Sequence, residues 1–189
     1  MPELPLNYVF EPLRFWDRAK AYGSCAGGRR FAVAHQTPGT TITGQTSFVA
    51  TTPTFLIRQA SAEHRVVLSN FALCQAGTAA GDLIHILVAI DTSDRYSSGG
   101  TLITPQATAA PSSLAAGFTF RYNPTASSAG GGTRYLYEWT QAVYSGGIFN
   151  PDMHDGVLIG FTGSILVYTW AATTAPTWVI GGFDVMEDE

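Results

Sequence analysis

Charge is scarce in this 189-residue chain: Asp, Glu, Lys and Arg make up 13% of it, about half of what a soluble domain usually carries. Lysine is nearly absent, with Lys20 standing alone against nine arginines. A disordered chain would carry far more charge and fewer than the 12% aromatics found here. A nucleic-acid binder would normally be strongly basic, whereas this chain sums to −4. Only two cysteines occur, Cys25 and Cys74, too few for a disulfide scaffold. Long apolar runs are missing as well. The best stretch, Leu83–Ile90, is broken by His85 and is far too short to span a bilayer. Charges run through Met1–Tyr22, with no apolar signal-peptide region, and Asn123 is followed by Pro124, which spoils its sequon. These absences predict a chain that stays in the compartment where it is made, with neither membrane nor nucleic acid as partner.

What is present is Ala, Thr and Gly, at 24, 22 and 20 residues, of which Thr and Gly argue against a long helical bundle. The charge is unevenly placed. Residues 1–30 hold five basic and three acidic groups, net +2, and residues 31–189 hold five and eleven, net −6. Residues 1–30 read as an arm, with Pro2, Pro5 and Pro12 and a short helix over Glu11–Tyr22. Its Phe10, Phe15, Trp16 and Tyr22 need a surface to dock on. Residues 31–53 read as an extended, Thr- and Gly-rich segment. From 54 to 189 the pattern becomes strands: 54–59, 65–75, 82–91, 118–122, 134–141, 156–161, 164–171 and 177–185. Ser93–Ala116 and Asn123–Thr133 are low in complexity and read as surface connections. The fold expected is an all-β antiparallel sandwich. A jelly roll fits the strand count best, with an immunoglobulin-like sandwich as the alternative.

Few residues offer chemistry. Ser24–Cys25 lies in a Gly-flanked stretch without a neighbouring histidine, and no G-x-S-x-G elbow occurs. His35, His64, His85 and His154 are scattered, and only Asp152–Asp155 collects metal-type ligands, in what reads as an ordinary turn. Gly130–Gly132 leads into a strand rather than a phosphate-binding helix. Period two places Tyr135, Tyr137 and Trp139 on one strand face and Glu138 on the other, which gives an aromatic row able to bind sugar but separated from its acid. No catalytic residue, metal or cofactor is expected.

The order of segments also supports a resemblance. A strand TFLIRQ, a turn, the long strand VVLSNFALCQAG, an apolar strand, a Ser/Thr/Gly/Pro loop and the ending GVLIGFTGSILVYTWAATTAPTWVIGGFDVMEDE resemble the jelly-roll decoration (cement) proteins of tailed-bacteriophage capsids. The resemblance covers about residues 54–189. It implies a non-enzymatic virion protein on the capsid surface, assembled in the host cytoplasm, forming a homotrimer and holding the major capsid protein. Phe10, Leu13, Arg14, Phe15, Trp16 and Arg18 of the arm are then the anchoring residues. The alternative is a carbohydrate- or receptor-binding module of a phage head fibre or tail, using Tyr135, Tyr137 and Trp139, or Tyr96 and Tyr144 in loops.

Overall fold

The computed structural model describes residues 29–60, 63–77, 83–109, 114–142, 147–153 and 156–188, and among these there is no helix. The strands are β1 (Arg30–Val33), β2 (Thr41–Thr43), β3 (Phe55–Gln59), β4 (Arg65–Gln75), β5 (Leu83–Asp91), β6 (Tyr96–Ile103) and β7 (Gln106–Ala107). They continue as β8 (Phe118–Ala126), β9 (Arg134–Ala142), β10 (Ile148–Phe149), β11 (Val157–Ile159), β12 (Ser164–Ala171) and β13 (Thr177–Asp188). Two antiparallel sheets face each other. One runs β10-β4-β13-β1-β7, with β11 also on β4 and β2 also on β13; the other runs β6-β8-β3-β12-β5-β9.

The sheets form because alternate residues supply a shared apolar interior. Ile84, Ile86 and Val88 of β5 and Ile165 and Val167 of β12 face Leu68, Phe71 and Leu73 of β4 and Phe183 and Val185 of β13. At its centre Phe55, Phe71 and Phe120 surround Phe183, with ring centroids 4.7–5.2 Å away. Truncating one such ring costs about 3–5 kcal/mol. β5 and β12 read as unbroken apolar runs because their other face is buried too. Leu87, Ala89, Leu166 and Tyr168 form a second, smaller cluster with Leu56 and Ala126 on the outside of the six-stranded sheet.

Residues 31–53 belong to the same sandwich. Phe31, Val33 and Ile42 enter the core from β1 and β2, and the chain then crosses to the other sheet, where Gln45 bridges Trp170. Gly44 makes the crossing possible, because any Cβ there would collide with Thr169. The stretch Ser93–Ala116 is not wholly a surface connection. It contains β6, whose Gly99 and Gly100 take positive φ and whose register slips between Tyr96 and Ser98. Gly100 lies too close to Tyr122 and Pro124 for a side chain, so glycine is what allows this pairing. β8 likewise runs on to Ala126, into the stretch read as a loop, past Asn123 at φ 48°.

Candidate functional site

Among the described residues, the outer face of the six-stranded sheet brings together exposed and half-buried aromatic and titratable side chains. Its geometry turns on one residue. Val88 pairs with Tyr137 and the next residue, Ala89, pairs with Tyr135, so Leu136 is an extra residue in β9. This bulge reverses the alternation. Tyr137 and Trp139 face inward, stacked at 5.3 Å, and Trp139 packs on Phe149. Tyr135 points outward and is 51% exposed. The three aromatics expected to share one face are therefore split between two. Glu138, expected to stand apart from the aromatic row, shares its face with Tyr135.

The other members come from three elements. Phe48, in the crossing segment, meets Tyr135, Tyr168 and Trp170 at centroid distances of 5.8, 5.1 and 5.5 Å. Trp170 of β12 lies opposite His85 of β5, and their rings stack at 4.8 Å and 5°. His85 Nδ1 is 3.2 Å from Glu138 Oε1. A continuous path thus runs Tyr135–Phe48–Trp170–His85–Glu138. Phe48 left no periodic signal, since it lies in an irregular segment. Further along the same face Tyr96 is flanked by the guanidinium groups of Arg58 and Arg121, at 5.2 and 4.8 Å from its ring.

Beneath the crossing segment a buried ion pair fixes the loops. Arg95 and Asp91 are 1% and 2% exposed and lie 3.1 Å apart. Arg95 donates to the carbonyls of Ala50 and Ser127 and to Thr133 Oγ1, and its backbone N–H donates to Ser164 Oγ. Burial pushes the Asp91 carboxyl up. Hydrogen bonds from Thr133, from the Ser93 hydroxyl and N–H, and from Arg95 outweigh this and bring it to about 2. Tyr168 donates to Ala50 O at 2.9 Å, and burial raises its phenol to about 12. Phe48 is therefore carried on a backbone held at Ala50 by two side chains.

The outer face of the seven-stranded sheet is different. Leu158, Val67 and Met186 lie side by side across β11, β4 and β13, and Ile148, Cys74 and Val179 do so seven residues further along β4. Ile148 is 71% and Leu158 49% exposed. On this face Arg30 pairs with Asp184, with Nε 2.8 Å from Oδ1, and Arg65 stands exposed at the start of β4. Cys74 is a half-buried free thiol.

The anchoring residues Phe10, Leu13, Arg14, Phe15, Trp16 and Arg18 lie outside the described residues, as do Cys25, Tyr144, His154 and Asp155. Among the described residues no three His, Cys, Asp or Glu side chains come together as metal ligands, and no helix is long and apolar enough to cross a membrane. No family model, curated protein or solved structure matches the chain.

Proposed function

We propose that this chain is a non-enzymatic virion structural protein, a capsid decoration protein that holds the major capsid protein and neighbouring copies of itself. The observation that carries the reading is the outer face of the seven-stranded sheet, where Ile148, Leu158, Val67, Val179 and Met186 stand together and Arg30 is paired with Asp184. Such a surface loses little by leaving water and gains by contact with protein. β1, which follows residues 1–28 in the chain, belongs to the same sheet. Two antiparallel sheets around one core are compatible with the jelly roll of the family the sequence resembles.

The experiment is co-sedimentation with heads purified from the virus whose genome carries this chain and stripped of it. Wild-type protein is expected to pellet with the heads at saturable stoichiometry. The full chain with Arg14→Glu, Phe15→Ser and Trp16→Ser is expected to lose at least tenfold in binding with an unchanged circular dichroism spectrum. Wild-type protein that stays in the supernatant overturns the reading.

A further inference from the structure

The outer face of the six-stranded sheet is built for a ligand that the opposite face is not. Tyr135 projects from β9 beside the bulge with half its surface in water, and its neighbour Phe48 is held in place through Ala50. Beside them Glu138 is exposed and engages His85 through Oε1 alone. Among the described residues Glu138 Oε2 and His85 Nε2 make no hydrogen bond, and both stand at the rim of the aromatic path.

An aromatic ring with an open face takes the C–H face of a sugar ring, and a carboxylate beside an imidazole takes two adjacent hydroxyls. A protein partner would bury the Glu138 carboxylate, and the only basic group on its strand is Arg134, at the strand's start. A nucleic acid would bring phosphates to a chain of net charge −4 and to that same carboxylate. Hydroxyls satisfy the carboxylate without adding charge. We propose that this patch binds a neutral glycan, with a pyranose ring stacked on Tyr135 beside Phe48 and its hydroxyls on Glu138 and His85. A monosaccharide is expected to bind in about the millimolar range, with multivalent display tightening it. This inference stands on the sheet's own side chains and does not depend on binding to capsids.

The test is an array of polyvalent neutral hexose, N-acetylhexosamine and sialylated oligosaccharides probed with the full chain. The strongest hit is then titrated by calorimetry. Binding to neutral probes is expected, with at least a tenfold loss in Tyr135→Ala and in Glu138→Gln and no change in Gln106→Ala, an exposed position on the other sheet. Tyr135 and Glu138 are exposed, and Glu138→Gln preserves shape, so these variants report on the site and not on folding. Absence of binding, binding to sialylated probes alone, or binding untouched by both substitutions overturns the proposal. So does a Tyr135→Ala variant whose only effect is to change the association of copies.

Discussion

At the scale of single residues, the buried polar groups show where a chain with so little charge spends it. Arg95 and Asp91 are sealed from water: Arg95 donates to Ala50, Asp91, Ser127 and Thr133, and Asp91 accepts from Ser93, Arg95 and Thr133. Removing one partner leaves the other buried and unpaired, so Arg95→Met is expected to destabilise the fold by about 3–5 kcal/mol in urea denaturation. The pH dependence has a definite sign. Asp91 holds its proton less tightly folded than unfolded, so its contribution is complete above an ordinary carboxylate pKa. It is lost as pH falls from about 4 towards 2, to the extent of about 2 kcal/mol. Thermal melts between pH 5 and pH 2 are expected to show this loss, and Asp91→Asn to show a flatter profile from a lower starting stability. Glu187 acts the other way. Burial raises its carboxyl, against the Gly117 N–H, His64 and Arg29, so its contribution falls as pH rises through its folded pKa. The acidic end that composition alone makes look solvated is thus partly structural, with Glu187 buried and Asp184 paired to Arg30.

At the scale of elements, what the sequence revealed and what it hid have the same cause. The strands with strong alternation or unbroken apolar character, such as β4, β5, β12 and β13, were legible because the core demands those residues at period two. β6 was hidden because Ser97–Ser98–Gly99–Gly100 carries no apolar pattern, and its pairing with β8 depends on backbone that only glycine can place. The aromatic patch was hidden for a related reason. A single bulge at Leu136 moves Tyr135 to the opposite face from Tyr137, and no periodic reading registers one extra residue. The bulge has a further consequence. β9 ends the six-stranded sheet, and bulges twist an edge strand away from pairing with other chains. Deleting Leu136 places Tyr135 next to Tyr137 in regular alternation, still opposite Ala89, and leaves a nine-residue strand shortened to eight and flat. The deletion variant is expected to keep the wild-type circular dichroism spectrum but to scatter light at lower protein concentration on standing. Equal scattering from both proteins would remove edge protection as the reason for the bulge.

At the scale of the whole molecule, the shortage of charge divides between two unlike surfaces. Residues 31–189 carry a net −6, so copies of this body repel one another at long range and gain from contact only where charge is absent or neutralised. The outer face of the seven-stranded sheet comes nearer to that condition, with Ile148 and Leu158 as exposed apolar side chains and Arg30 paired with Asp184. The aromatic face does not, because Glu138 would meet its own copy or lose its water. Self-association through the first face would leave the second free. This makes a definite prediction for light scattering coupled to size exclusion. The wild-type chain is expected to elute as a homotrimer, and Ile148→Glu with Leu158→Glu to elute as a monomer, because each added carboxylate must be desolvated in the contact. Both side chains point to solvent, so the double variant is expected to melt within a few degrees of the wild type. A variant that remains trimeric would move the self-contact to another surface, with the arm as the next place to test.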